Sequence, residues 1–342
     1  MRSCLPGFFK RRCLMVLLPK FAYPLLALFT LSAALQLPVN ASVTTFGTGS
    51  NQFDMTFVEI GNPGNVDDTT GDPNPAGSVA YTYQMGKYEV SEDMIDKFNA
   101  SQSLTIWHSS RGADKPATNV SWNEAARFVN WLNTSQGHQA AYNFTSNGVN
   151  DDIALWSSEE AWQLGGENLF RHKDAYYFLP SMDEWYKAAY YNPSTGEYGD
   201  YPSLDGNEPS AVSSGTADNT AVYGQSLFQG PADITSAGGL SAYGIMGLGG
   251  NVFEWEETTA DLLNDSVSSS RGVRGGWWGG NSGDLSSSYR SSSIRTTGGI
   301  GIGFRVASLS SSADVVPEPG SVLVWGLLGL AGFFVGRKRL RK

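Results

Sequence analysis

Alternating apolar and polar residues mark two strands early in the chain. Met55-Thr56-Phe57-Val58-Glu59-Ile60 alternates and is rich in β-branched and aromatic residues, and Tyr81 to Val90 follows the same rule. Between them Gly61 to Gly77 is rich in proline and acids and reads as a loop. Two later segments switch to helical spacing. Ser121 is followed three residues on by Glu124, the pattern of a capping box, and Ala125, Phe128, Val129 and Leu132 then recur on one face. Ser181 stands in the same relation to Glu184, with Trp185, Ala188 and Ala189 following and Pro193 beyond as a stop. Helices early, strands and long loops late, and no β-α-β alternation predict an α+β domain. With 40 glycines among 342 residues, beside clusters of Asn, Ser and Asp, turns should outweigh regular structure.

Both ends carry apolar runs of a different kind. At the start, Arg2, Lys10, Arg11, Arg12 and Lys20 precede an apolar stretch from Phe21 to Leu37, and Val39 and Ala41 stand ahead of Ser42. That layout predicts a secretory signal peptide over residues 1–41; a retained membrane anchor is the alternative, disfavoured by Pro24, Pro38 and the small-residue pair. At the other end, Pro317-Glu318-Pro319 is followed by an uncharged apolar run from Ser321 to Gly336 and then by Arg337-Lys338-Arg339-Leu340-Arg341-Lys342. The run is short for a bilayer, yet long enough if the flanking cations reach the head groups, and predicts a single C-terminal transmembrane helix. The basic cluster should stay cytoplasmic and leave the body outside. Between the ends one domain is expected over 42–307, joined to the tail by a flexible Ser-rich linker over 308–316, with the anchor segment over 317–342.

Charge sharpens once the ends are set apart. The chain carries a formal net charge of −10, and ten of its 23 basic residues lie in the two ends, whereas nearly all its acids lie between them. The body is therefore strongly acidic, which argues against a nucleic-acid partner and suits divalent cations or solubility outside the cell. Cys4 and Cys13, the two cysteines of the chain, fall in the segment expected to be removed, so the mature protein would hold no disulfide.

Five blocks then carry a family resemblance. They are Glu89-Val90-Ser91; Pro116-Ala117-Thr118-Asn119-Val120-Ser121-Trp122; Phe178-Leu179-Pro180-Ser181 to Ala189; Gly250-Asn251-Val252-Phe253-Glu254-Trp255; and Arg274-Gly275-Gly276-Trp277-Trp278 with Gly303-Phe304-Arg305. In this order they resemble the formylglycine-generating, or sulfatase-modifying factor, superfamily. The resemblance implies that family's variant of the C-type lectin-like fold, with little regular structure and much rigidity from tryptophans; Trp122, Trp131, Trp185 and Trp255 are expected in the core. The tail resembles a PEP-CTERM sorting signal, with Pro317, Glu318 and Pro319 as its motif. That implies an exosortase partner and display on the surface or in the extracellular matrix of a Gram-negative bacterium.

The chemistry is harder to place. Oxidising members of the superfamily have reactive cysteines just after the tryptophan of the Arg-Gly-Gly block; here Trp278 to Leu285 has no thiol, so neither the two-cysteine reaction nor a thiolate copper site is expected. His108, His138 and His172 are widely spaced and read as ordinary surface histidines, and no Gly-x-Ser-x-Gly motif occurs. Adjacent acids, Asp151-Asp152, Glu159-Glu160 and Glu256-Glu257, read as solvated. The resemblance implies calcium on Gly250, Val252 and Glu254, hard oxygen donors, with a weakened upstream ligand at Gly247. A cleft is expected around Trp277, Trp278, Asn281, Asp284 and Arg290. The expectation is a non-catalytic binding or display module for extracellular polysaccharide or protein. The alternative is an extracytoplasmic enzyme working with a metal or a different residue set, in which Arg274, Arg290, Arg295 and Arg305 gather round an anionic substrate.

Overall fold

The computed structural model describes residues 41–146 and 153–310. The expected signal peptide, Asp151-Asp152, the sorting motif, the apolar run at 321–336 and the basic cluster lie outside the described residues. Among the described residues no helix is long and apolar enough to cross a membrane.

Strand Ala41–Phe46 pairs antiparallel with Phe53–Ile60, Ala41 facing Val58 and Phe46 facing Phe53. The sheet continues through Tyr83–Gly86 and Ala307–Leu309 to Tyr177–Phe178, so both ends of the domain meet in one five-stranded antiparallel sheet. Strand period two explains why it has a core on each face. Phe53, Met55 and Phe57 enter one apolar cluster with Phe128, Val129 and Leu132, while Val58 and Ile60 enter another with Trp185, Ala188 and Ala189. The strand expected to run to Val90 ends at Gly86, and Val90 instead donates its N–H to the Phe304 carbonyl at 2.9 Å.

Three helices carry the patterned segments. Helix α1 (Glu92–Ser101) is capped by Ser91, whose hydroxyl accepts the Met94 N–H. Helices α2 (Trp122–Ser135) and α3 (Met182–Tyr190) both begin in complete capping boxes, Ser121 with Glu124 and Ser181 with Glu184, as their sequences predict. A second, four-stranded sheet orders Ser291–Ser293, Arg271–Arg274, Phe253–Thr259 and Ile302–Gly303, the last pair parallel. Short two-stranded ribbons and turns fill the rest, so the α+β expectation with little regular structure holds.

One boundary moves. The Ser-rich stretch from 308 begins inside the fold, because Ser308 and Leu309 belong to the last strand. Ladder bonds on both sides satisfy its backbone, and Ser308 is buried with its hydroxyl donating to Gln84 Oε1 at 3.3 Å.

The tryptophans bind the frame together. Trp122, Trp185 and Trp255 are fully buried, and Trp131 is half-buried against Phe53, Phe98 and Phe128. Each fully buried indole of this trio finds an acceptor: Trp122 gives its N–H to the Glu256 carbonyl, Trp255 to the Val120 carbonyl, and Trp185 to Glu254 Oε2 at 2.7 Å.

Candidate functional site

The strand Phe253–Thr259 organises the interior electrostatics. Glu254, Glu256 and Glu257 are all fully buried on it, and each meets an arginine. Arg305 Nε reaches Glu254 Oε2 at 2.6 Å and its NH2 bonds the other oxygen. Arg274 Nε lies 2.9 Å from Glu256 Oε1, and Arg290 NH2 lies 2.8 Å from Glu256 Oε2. Arg171 bridges Glu257 and Glu184, at 2.7 and 2.8 Å through NH2.

Glu256-Glu257 is thus not solvated, as adjacency in sequence suggested. The two lie where the register of the strand shifts, and each meets a different guanidinium, Glu256 those of Arg274 and Arg290 and Glu257 that of Arg171. Glu159 and Glu160 are exposed as expected. Burial pushes the Glu184 carboxyl up, but Arg171 outweighs it and holds the group below its ordinary value; at Glu257 burial wins over Arg171 and the group is raised.

The same pairing engages the arginines expected round an anionic substrate. Arg274, Arg290 and Arg305 are paired with buried glutamates, and Arg295 donates its Nε–H to the Val267 carbonyl, while Arg274 NH2 and Arg295 NH1 are buried without a hydrogen-bond partner among the described residues. Trp278 is fully buried, packed edge-on to Trp277 at 4.9 Å between ring centroids. Trp277 is half-buried and lies flat on bare backbone: a Cβ on Gly301 would stand 2.4 Å from its Cε3. Asn281 and Asp284 close a short turn, Asp284 Oδ2 accepting the Asn281 N–H at 3.1 Å and Asn281 Oδ1 the Gly283 N–H at 2.9 Å. Of the five residues expected at a cleft, Trp277 and Trp278 thus pack on each other, Asn281 and Asp284 close a turn beside Trp277, and Arg290 pairs with Glu256. Arg111, which no sequence pattern marks, stands over the Trp278 ring with its Cζ 4.9 Å from the centroid.

Gly250, Asn251 and Val252 form a tight turn. Gly250 has φ 77° and Asn251 φ 57°, both left-handed. Asn251 Nδ2 donates to both oxygens of Glu89 at 3.0 Å, and its Oδ1 accepts the Ala232 N–H. A Cβ on Gly247 would sit 3.0 Å from the Glu89 carboxyl, so Glu89 fills the place where an upstream ligand was expected. Burial, and then the charge of Glu254, push Glu89 well above the ordinary carboxylate range.

The expected calcium ligands fit poorly in this arrangement. Glu254 has both oxygens engaged, by the Arg305 guanidinium and the Trp185 indole, and a bound cation would lie against the Arg305 charge. The three histidines have separate partners. His108 lies 3.0 Å from Asp96 and 3.5 Å from Glu92, His138 stacks on Tyr176, and His172 packs edge-on to Trp156. His108 and His172 are buried rather than on the surface. Among the described residues no group of three or more His, Cys, Asp or Glu side chains is arranged to hold a metal.

A cavity that the sequence did not signal opens between the start of α3, the hairpin ending at Asn168–His172 and the end of strand Phe253–Thr259. It has a volume of about 260 Å³ and is lined by Trp162, Arg171, Asp183 and Glu184 among others. Burial raises the Asp183 carboxyl to about 6, against a bond from the Gly77 N–H at 2.7 Å that lowers it.

Comparison with known proteins places this frame. Residues 46–309 match the family profile described as the sulfatase-modifying factor enzyme 1-like domain. No curated protein matches the sequence. Among solved structures, variable protein 1 of Treponema denticola superposes with a TM-score of 0.54 at 18% identity, over 79% of this chain and 99% of that one. PvdO from Pseudomonas aeruginosa gives 0.49 at 18% identity over 78% and 98%, and CarF 0.47 at 19% over 80% and 100%.

Proposed function

Because the chain belongs to the sulfatase-modifying factor enzyme 1-like family, we propose that it serves as an exported binding and display module that keeps the family frame without its cysteine chemistry. The observation that carries this reading is the fate of the Trp277–Asp284 segment. The sequence offers no thiol there, Trp278 is fully buried, and Trp277 lies on glycine backbone where an oxidising site would need an open nucleophile. The arginines that an anionic-substrate enzyme would need are bound to buried glutamates, which further favours a structural role for them.

Export and surface sorting complete the reading. The charged and apolar start and the Pro317-Glu318-Pro319 tail with its apolar run and basic end support passage through the membrane, recognition by an exosortase-type enzyme, and retention at the cell surface or in the matrix. The ligand class that suits such a location is extracellular polysaccharide or another surface protein.

Two measurements test this. The full-length chain expressed in an exosortase-bearing bacterium should appear outside the cytoplasm, and replacing Pro317-Glu318-Pro319 with alanines should block its onward sorting. The purified chain should retain extracellular polysaccharide or a secreted protein and leave a cysteine-containing sulfatase peptide unchanged. Conversion of that peptide cysteine, or no retention across a broad glycan and secretome panel, would overturn the proposal.

A further inference from the structure

The cavity beside α3 has the lining of a ligand site, and its chemistry is lopsided. Its charged donor and two of its neutral ones are already spent. The Tyr81 hydroxyl donates to Glu184, the Asn168 amide to Glu257, and Arg171 to both glutamates and the Leu179 carbonyl. Beside the neutral amide of Asn264, whose Oδ1 accepts the Thr259 N–H, and the hydroxyls of Ser181 and Thr258, what remains are acceptors and ring. Asp183 uses Oδ1 on the Gly77 N–H, and among the described residues nothing bonds its Oδ2. The helix start does not call for an anion either, since Glu184 Oε2 already accepts the Ser181 N–H. Trp162 forms one wall, its own N–H tied to the Leu164 carbonyl at 2.8 Å and the Arg171 guanidinium already 5.2 Å from its ring centroid.

Among the ionisable lining groups, Arg171 is the sole cation against Glu167, Asp183 and Glu184, with Glu257 behind. Asp183 also feels the like charges of Asp67, Glu256 and Glu184. An incoming anion would meet these acids with no free guanidinium to receive it. A cation with several N–H donors would find an open carboxylate oxygen beside a ring whose neighbouring guanidinium is neutralised by Glu184 and Glu257.

We propose that this cavity binds the primary ammonium group of a small ligand, either an amino sugar or a free alkylamine, with Asp183 as its counter-ion and Trp162 as one wall. A volume of about 260 Å³ admits a ligand of that size. The site shares no residue with the Trp277–Asp284 segment, so its failure would leave the proposed display role standing.

The full-length chain labelled with 5-fluorotryptophan, with the Trp162 resonance assigned from Trp162→Phe, tests the proposal by ¹⁹F NMR. Glucosamine should shift that resonance saturably, N-acetylglucosamine should bind at least about tenfold more weakly, and Asp183→Asn should lose about tenfold in glucosamine affinity. Methylammonium separates the two sources: affinity equal to glucosamine's assigns the site to the bare amine, and weaker binding assigns it to the amino sugar. Should Asp183→Asn fail to fold, wild-type affinity for glucosamine should fall as pH drops through about 6, where Asp183 takes up its proton. No saturable shift, equal affinity for the acetylated sugar, or pH-independent binding would overturn it.

Discussion

Arg305 clasps Glu254 with two parallel bonds, its Nε 2.6 Å from Oε2, where neither residue has any exposed surface. The pair joins the last segment of the domain to the strand Phe253–Thr259, and Arg305 further donates to the carbonyls of Gly86 and Met246. One guanidinium therefore ties together pieces of chain far apart in sequence. Arg305→Met should cost about 3–5 kcal/mol, because it leaves Glu254 buried and uncompensated beside Glu89. A double-mutant cycle with Glu254→Leu, followed by urea unfolding, should return a coupling above about 1.5 kcal/mol. Additive losses would show that the pair is not the tie described.

That clasp sets the expectation for calcium. If the Glu254 carboxylate stays with Arg305 and Trp185, millimolar calcium should shift the melting temperature by less than about 1 °C relative to chelator, since a ligand that does not bind the native state cannot stabilise it. A larger upward shift that Glu254→Gln abolishes would mean that the ion displaces the arginine.

A lysine in the interior gives a pH signature. Lys187 on α3 is fully buried, and its ammonium donates to the Asn62 carbonyl at 2.8 Å with no carboxylate partner in the described residues. Burial lowers it from 10.5 to about 8. Between about pH 8 and 10.5 the unfolded chain holds a proton that the folded one has released, so this group makes stability rise with pH across that window. Lys187→Met should remove that rise and add about 1–2 kcal/mol near neutral pH. Chemical denaturation of both proteins at several pH values checks the slope; parallel profiles would contradict it.

What the sequence disclosed and what it hid divide along physical lines. Capping boxes at Ser121 and Ser181 are local, with partners three residues apart, and both helices formed where they pointed. The blocks around Asn251 and Arg305 disclosed the frame because left-handed turns and close glycine contacts restrict residue choice. Glu256 and Glu257 were misread because nothing in a carboxylate's neighbours along the chain announces an arginine arriving from elsewhere in the fold, as Arg171 does across 86 positions. The cavity went unseen for a related reason. Its walls come from segments far apart in sequence, residues 78–81, the start of α3, the end of strand Phe253–Thr259 and the ribbon of Ala161–Trp162 and Asn168–His172, where an alternating pattern has too few residues to register.

The glycines around Trp277 offer the most direct test of the closed segment. Gly301 has its backbone against the Trp277 ring, and an added methyl would lie 2.4 Å from Cε3 and 2.8 Å from Cδ2, closer than carbon atoms can approach. Trp277 cannot retreat towards Gly279 or Gly280 either, since a Cβ on Gly279 would be 2.9 Å from the same ring, showing how tightly that side is packed. Gly301→Ala must therefore swing the indole outward or move the backbone, at a cost of about 1–3 kcal/mol. The expected readout is a red-shifted and more quenchable tryptophan emission that Trp277→Phe in the same background removes. Trp277→Gly alone should open the space the ring now fills while leaving Trp278 buried, so acrylamide quenching of the remaining tryptophans should stay at its wild-type level. If Gly301→Ala leaves both emission and stability unchanged, the ring does not rest on that backbone and the segment is open after all.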